Sequence, residues 1–191
     1  MRNAQGQRKN ARVMAALLLL ALALLAATAF GEEEERKEGP LVVFSDDFMF
    51  SVKEPSGWTA DMENAPKLSA GVVFYRNKET FEKRTTTISI RITKKVDEDT
   101  VKDLEHDMEQ FRTLYPDVEF LPLKASRKGY TTFAKLFAIK NSSYHYICYV
   151  NPGKGVPFLL VVFMEKEKKK ADEKELKAYR EVVRTLDWLP K

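Results

Sequence analysis

Residues 158–164 read FLLVVFM, a run of seven consecutive apolar residues. A β-strand points successive side chains to opposite faces of its sheet, so a strand with one wet face alternates apolar and polar residues. This run has no polar alternation and is apolar on both faces. We therefore predict a strand in the middle of a sheet that is covered on both sides.

Shorter runs on either side of this segment predict the other strands. The clearest covers 85–93, where Ile88, Ile90 and Ile92 alternate with polar residues. The remaining strands are predicted at 41–44, 48–52, 71–75, 119–124, 130–139, 144–150 and, around the central run, 157–164. Turn-forming residues separate the last three of these strands, which are therefore expected to be antiparallel and connected by hairpins.

Two stretches carry the periodicity of an amphipathic helix. Acidic residues 97–99 precede the first helix and Pro116 ends it. Its apolar stripe consists of Val101, Leu104, Met108, Phe111 and Tyr115.

The second helix begins at Asp172, with Glu175 placed for a capping box, and stops before Pro190. Its stripe consists of Leu176, Tyr179, Val183 and Leu186. Two such helices and a central strand that is apolar on both faces predict an α+β fold. In this fold a single antiparallel sheet of about six or seven strands is sandwiched by helices in an α/β/α arrangement.

The N-terminus has the features of an export signal. Four basic residues at positions 2, 8, 9 and 12 precede the apolar run 13–27, and Ala27-Thr28-Ala29 is a small-x-small cleavage pattern. We expect residues 1–29 to be a signal peptide, 30–39 a charged flexible tether and 40–191 a single domain. The apolar run approaches the roughly 20 residues that span a membrane, so a retained anchor is the alternative.

The leader also accounts for the net charge of +4. Of the 32 basic residues in the chain, four lie in the leader, which leaves 28 against 28 acidic residues. A balanced charge lacks the positive field on which binding to a phosphate backbone depends. We therefore expect no nucleic-acid partner.

Four marks along the chain are typical of a known fold. They are the strand Phe48-x-Phe50-x-Val52 that ends in Pro55-Ser56-Gly57-Trp58, the strand 88–92 that leads into a helix, the hairpin 144–164, and a C-terminal helix that ends in Leu186-Asp187-Trp188. This order resembles the PsbP-like fold family. Its members include extrinsic proteins of photosystem II, nuclear Ran-binding proteins and bacterial envelope proteins such as DcrB-like proteins.

The resemblance implies a non-enzymatic accessory or binding role in the envelope. The leader excludes the nuclear branch. The photosynthetic branch has metal-binding histidines that match neither His106 nor His145.

Few residues suit catalysis or metal binding. His106 lies opposite the apolar stripe of its helix and is predicted to face solvent. His145 lies in a strand and is predicted to be a hydrogen-bonded sheet histidine, while the lone Cys148 is predicted to be buried and inert. These residues predict no catalytic, cofactor or metal site. A hydrolytic enzyme, the less favoured alternative, would need His145, Cys148 and a carboxylate together in a cleft.

Other motifs have simple interpretations. Residues 152–155, PGKG, lack the spacing of a phosphate-binding loop and predict a turn. Asn141-Ser142-Ser143 satisfies the glycosylation sequon and is also turn-forming. The carboxylates at 46–47 and 97–99 lie in a loop and at a helix start, where charge is common. Residues 165–170, EKEKKK, predict a solvated connector, with an anionic-lipid contact as the alternative.

Aromatic residues are concentrated in the second half of the chain. They are Phe120, Tyr130, Phe133, Phe137, Tyr144, Tyr146, Tyr149 and Phe158. Most are predicted to lie in the core, and any that is exposed would mark a partner surface.

From the sequence we expect an exported, periplasmic or secreted, non-enzymatic binding or accessory protein of the cell envelope. Its partner would be a protein or another envelope component. Membrane contact is expected only if the N-terminal segment is retained.

Overall fold

The computed structural model describes residues 39–96 and 100–190. This part of the chain contains ten strands, two α-helices and two short 3-10 helices. The strands are β1 (Leu41–Phe44), β2 (Met49–Val52), β3 (Trp58–Asp61), β4 (Val72–Arg76), β5 (Thr86–Lys94), β6 (Glu119–Pro122), β7 (Thr131–Ala138), β8 (Ser143–Asn151), β9 (Phe158–Glu167) and β10 (Asp187–Trp188). The α-helices are α1 (Thr100–Leu114) and α2 (Glu173–Thr185), and the 3-10 helices are Ala65–Leu68 and Phe81–Lys83.

Several predicted segments lie outside the described residues. They are the signal peptide with its anchor alternative, residues 30–38 of the tether, and the acidic residues 97–99 before the first helix. Within the described ranges, no helix has the length and apolar character that crossing a membrane requires.

Seven strands form one antiparallel sheet in the order β3-β4-β5-β9-β8-β7-β6. The apolar run therefore lies in the middle strand, as predicted. Val162 of β9 is opposite Ile90 of β5 on one side and Cys148 of β8 on the other. The expected hairpins β7-β8 and β8-β9 are also confirmed.

Each face of this sheet carries one α-helix. On one face, Val162 and Met164 of β9 share a buried cluster with Tyr179 and Val183 of α2. On the other face, Leu159 of β9 shares a second cluster with Leu104 of α1 and with aromatic residues of β7 and β8. Successive residues of β9 thus face different helices, which explains why the strand needs apolar side chains throughout.

The prediction of a single sheet is wrong. A second sheet of three strands, in the order β1-β2-β10, lies apart from the first in hydrogen bonding, and Phe50 of β2 packs in the cluster beneath α2. Strand β10 was not predicted, because helix α2 ends at Thr185 and the chain becomes extended at Leu186. Asp187 then pairs with Ser51, a partner 136 positions away that local periodicity cannot indicate.

Helix α2 begins with the predicted capping box. The Asp172 carboxylate accepts from the Glu175 backbone N–H, and the Glu175 carboxylate accepts from the Asp172 backbone N–H, each at 2.8 Å. These bonds satisfy two of the backbone donors that a helix start leaves free.

The prediction that 165–170 is a solvated connector is wrong for its first half. Strand β9 continues through Glu167, and Lys166 is only 6% exposed. Lys166 follows Met164 by two positions and so points to the same face, beneath α2. There its charge is neutralised by Glu175, whose Oε1 atom lies 2.6 Å from Lys166 Nζ.

Candidate functional site

A groove of about 520 Å³ is lined by helix α1 and by strands β5, β8 and β9. We call it the α1 groove. Its floor consists of apolar and aromatic side chains of the two central strands, Ile147, Tyr149, Val161 and Phe163. They reach the same face because they occupy alternate positions of β8 and β9.

Helix α1 supplies the acidic wall. Asp103, Asp107 and Phe111 are four positions apart and therefore follow one face of the helix along the groove. Strand β5 supplies the basic wall, with Arg91 and Lys94. The groove thus has an acidic side on α1, a basic side on β5 and an apolar floor, and Glu165 of β9 adds a further carboxylate to the lining.

Three buried polar atoms distinguish this groove. Within 39–96 and 100–190, the buried side-chain nitrogen and oxygen atoms without a hydrogen-bond partner are Arg91 Nε, Asp103 Oδ2 and His145 Nδ1. All three residues line the α1 groove. Buried polar atoms are rarely left unpaired, because each one loses its bonds to water without replacement. Their concentration in a single groove singles it out as the candidate site.

Arg91 lies against the floor of the groove. Its guanidinium carbon is 4.5 Å from the ring centroid of Phe163, and Arg91 takes part in none of the salt bridges found among the described residues. Burial lowers the pKa of Arg91 below its ordinary value, while the charge of Glu165 acts in the opposite direction. Arg91 therefore lies against an aromatic ring and forms no close salt bridge, while the Glu165 carboxylate, another lining residue of the groove, acts on it from a longer distance.

His145 contacts the same Phe163 ring. Its ring centroid is 5.3 Å from that of Phe163 and 5.5 Å from that of Phe111, in edge-to-face contacts. Its Nε2 atom is 2.7 Å from Ser143 Oγ. The prediction of a satisfied sheet histidine is thus correct for Nε2 and wrong for Nδ1. Burial lowers the pKa of His145, the charge of Glu165 counteracts this, and Arg91 adds to the lowering.

Each carboxylate on the helix wall has one fixed bond. Asp103 is 6% exposed, and its Oδ1 atom accepts a 2.9 Å bond from the Val96 backbone N–H. Asp107 accepts a hydrogen bond from the Tyr149 hydroxyl. Burial, together with this bond to Asp107, raises the pKa of Tyr149, so the phenol stays protonated. Only Asp103 Oδ2 remains buried without a donor on this side.

The other residues singled out in the sequence lie as follows. His106 is exposed at the rim, as predicted, with its Nε2 atom 2.8 Å from Gln110 Nε2. Cys148 is fully buried in the cluster beneath α2, on the opposite face of the sheet from His145. The structure therefore does not bring His145 and Cys148 together. No group of three or more metal-ligating side chains is found in the part of the chain that is described.

The predicted turns and aromatic core are also present. Gly153 and Gly155 have positive φ angles and Asn141 has a φ of 59°, so both segments turn as predicted. None of the eight aromatic residues named from the sequence is largely exposed. They therefore form no exposed partner surface, and only Tyr149 lines the groove.

Sequence reasoning missed Arg91, Asp103 and Phe163 as site residues. Arg91 is one of the polar residues that alternate with Ile88, Ile90 and Ile92, and Asp103 adjoins Leu104 of the apolar stripe. An arginine within an otherwise uncharged strand segment and an acid next to a core position were the available signals. Neither could indicate that the two side chains share a groove.

The chain was compared with known proteins. No protein-family model matches it, and no curated protein matches it. Among solved structures, the Ran-binding protein Mog1p of Saccharomyces cerevisiae has 17% sequence identity and a TM-score of 0.48, with 78% of this chain and 95% of that chain covered. A mutant of Mog1 has 17% identity and a TM-score of 0.47, with the same two shares covered.

PsbP (CyanoP) from Synechocystis sp. PCC 6803 has 12% identity and a TM-score of 0.48, with 84% of this chain and 99% of that chain covered. The structural neighbours thus include both a PsbP and a Mog1 fold. At these identities and TM-scores they assign the chain neither a family nor a function, and a DcrB-like relationship stays a prediction.

Proposed function

We propose that this protein is an exported, non-enzymatic binding module of the cell envelope that takes its ligand in the α1 groove. The observation that carries the proposal is the placement of Arg91 Nε, Asp103 Oδ2 and His145 Nδ1 in one groove, each buried and unpaired. A ligand that pairs with these atoms would recover the hydrogen bonds that folding leaves unmade. The groove volume of about 520 Å³ falls in the usual range of small-molecule sites.

A hydrolytic role has weaker support. Ser143 Oγ lies 2.7 Å from His145 Nε2, a distance suited to a nucleophile and its base. In a serine triad the other ring nitrogen is held by a carboxylate, which sets the tautomer and stabilises the charged ring. Nδ1 of His145 has no partner, and Cys148 lies on the other face of the sheet. The arrangement favours recognition of a ligand over hydrolysis.

Export is the part of the proposal that rests on sequence alone, namely on the basic, apolar and small-residue pattern of residues 1–29. The alternative is an envelope factor that keeps residues 13–27 as a membrane anchor. Envelope membership of a DcrB-like kind, with a protein or another envelope component as partner, belongs to the same proposal.

Fractionation of the native organism followed by N-terminal sequencing tests the location. The full chain would carry a C-terminal tag. A periplasmic or secreted product that begins near Phe30 supports export with cleavage, and a membrane-bound product that retains 13–27 supports the anchored form. Recovery of the uncleaved chain in the cytoplasm would overturn both.

Two matched variants test the groove. Val96 is 77% exposed and lines the α1 groove, whereas Leu114 is 70% exposed at the other end of α1 and is not a lining residue. Native mass spectrometry after incubation with envelope extract would compare Val96→Trp with Leu114→Trp. We expect wild type and Leu114→Trp to retain a bound ligand and Val96→Trp to lose it. Equal retention by both variants, or no bound mass on wild type, would contradict a role for the groove.

A further inference from the structure

We propose that the ligand of the α1 groove is an apolar zwitterion of the amino-acid type, either a free amino acid or a short peptide. Its carboxylate would contact Arg91 and its ammonium group would contact Asp103. This inference rests on the proposed function and names the chemistry of the ligand.

The basic side of the groove calls for a carboxylate. Arg91 has a buried, unpaired Nε and forms no salt bridge within the described residues, and its guanidinium carbon lies 4.5 Å from the centroid of the Phe163 ring. A guanidinium group presents parallel N–H donors that match a carboxylate. The ring of His145 contacts the same Phe163 ring, at 5.3 Å, as well as Phe111 of helix α1, at 5.5 Å, and adds a second unpaired nitrogen to the groove.

The acidic side calls for a hydrogen-bond donor. Asp103 is 6% exposed, and only its Oδ1 atom has a partner, the Val96 backbone N–H. A carboxylate oxygen that is buried without a donor is costly, and an ammonium group provides both donors and the opposite charge. Asp107 is already bonded to the Tyr149 hydroxyl, so Asp103 is the carboxylate with an oxygen left to satisfy.

No salt bridge joins Arg91 to Asp103 or Asp107 within the described residues, and Asp103 is bonded to the backbone of Val96, two residues beyond the end of β5. Arg91 of β5, Val161 of β9 and Tyr149 of β8 are in register across three adjacent strands, so the backbones of Arg91 and Tyr149 are about 10 Å apart at the usual strand spacing. Helix α1 meets the Tyr149 end of this row through Asp107. The floor between the two sides is apolar, with Val161 and Phe163 at its centre.

A ligand of one charge would leave one side unsatisfied. A simple carboxylate would pair with Arg91 but leave Asp103 Oδ2 without a donor, and a simple amine would leave Arg91 without an acceptor. A zwitterion with an apolar side chain satisfies both sides and covers the floor. A free amino acid and a short peptide share this chemistry and differ in length.

Isothermal titration of protein prepared from the full chain tests the inference. The probes are leucine, leucyl-leucine, N-acetyl-leucine, leucinamide and glycine. We expect leucine or leucyl-leucine to bind. The one that binds more tightly shows whether the ligand is a free amino acid or a short peptide. N-acetyl-leucine lacks the ammonium group and leucinamide lacks the carboxylate. Each of these two probes should bind at least about tenfold more weakly than leucine, as expected when a charge-assisted contact is lost. Glycine should not bind, because it has no side chain to cover the apolar floor.

Two variants assign the contacts. Arg91→Gln should remove the preference for leucine over leucinamide and keep the preference for leucine over N-acetyl-leucine. Asp103→Asn retains an oxygen for the Val96 N–H. It should remove the preference for leucine over N-acetyl-leucine and keep the preference for leucine over leucinamide. Arg112→Gln is the control, because Arg112 also lies over an aromatic ring, at 4.9 Å from the Phe120 centroid, but does not line the groove. It should bind like wild type.

The inference is overturned if N-acetyl-leucine or leucinamide binds wild type as well as leucine does, if neither leucine nor leucyl-leucine binds, or if Arg91→Gln keeps every preference. The ligand series on wild type decides the matter even if a variant fails to fold. If the ligand is not a zwitterion, the proposed function is still supported as long as Val96→Trp loses an envelope ligand. Failure of that earlier test would remove the groove itself as a binding site.

Discussion

The ammonium group of Lys166 lies 2.6 Å from the carboxylate of Glu175, and both side chains are buried beneath helix α2. The same Glu175 oxygen accepts a 2.6 Å bond from the Thr86 hydroxyl and lies 3.0 Å from Arg76 Nη2. The other oxygen closes the capping box of the helix. One carboxylate thus joins β4, β5, β9 and α2.

Removing either charge of this pair should destabilise the fold, and by unequal amounts. Glu175→Gln leaves Lys166 buried without a counter-ion, and we expect a loss of about 3 kcal/mol or more in the free energy of unfolding. Lys166→Met should cost less, because Arg76 still faces Glu175 at 3.0 Å. Urea denaturation of both variants measures the difference.

The matched control is Glu173→Gln in the same helix. Glu173 is exposed and lies 3.7 Å from Arg180, so its loss should change the free energy of unfolding by about 0.5 kcal/mol or less. A similar loss in the free energy of unfolding for Glu173→Gln and Glu175→Gln would show that the buried pair stabilises the fold no more than an exposed pair does.

His145 should make stability depend on pH in the mildly acidic range. Because burial lowers its pKa below the ordinary value of 6.5, the unfolded chain takes up a proton at a higher pH than the folded protein does. The free energy of unfolding should therefore fall as the pH drops below 6.5 towards the folded pKa, and this contribution should be complete above 6.5. Urea midpoints from pH 7.5 to pH 5 measure the slope.

The variant His145→Gln should flatten that slope. It removes the titrating group and keeps a polar side chain beside Ser143. An unchanged slope in the variant would assign the pH dependence to other groups.

Cys148 should be unreactive in the folded protein. It is fully buried, and burial raises the pKa of its thiol to about 12, so almost no thiolate exists at neutral pH. We expect an aromatic disulfide reagent to modify Cys148 in urea but not in buffer at pH 8. Rapid modification without denaturant would contradict the buried position.

Tyr130 should hold the three-stranded sheet together at its C-terminal end. Its hydroxyl donates to Asp187 Oδ1 and accepts a 3.0 Å bond from the Trp188 backbone N–H, both in β10. Tyr130→Phe should lower the free energy of unfolding by about 1–3 kcal/mol, since the half-buried Trp188 N–H loses its acceptor and Asp187 Oδ1 keeps only the 3.4 Å bond from Arg127. Hydrogen exchange at Trp188 should accelerate as well.

Tyr115→Phe is the control for this change. Tyr115 is an exposed tyrosine whose hydroxyl can bond to water, so its loss should alter neither stability nor exchange. Equal effects of the two variants would argue against a local role for Tyr130.

Much of the large sheet follows from local pattern. The alternation of Ile88, Ile90 and Ile92 identified β5, the unbroken apolar run identified β9 as the central strand, and Asp172 with Glu175 identified the start of α2. Each of these signals spans fewer than ten residues and depends on which face a side chain occupies. A sequence therefore carries them without knowledge of the rest of the chain.

The second sheet and the groove depend on contacts between distant parts of the chain. Asp187 pairs with Ser51, and Arg91 faces a groove whose other wall holds Asp103. No periodicity links such positions, because their proximity is set by how the helices and strands pack after each has formed. The sequence by itself determined six of the seven strands of the large sheet and its two amphipathic helices, but not the edge strand β3. Tertiary packing decided that three charged or polar residues would share one groove with atoms left unpaired, because burial and pairing are properties of the assembled core.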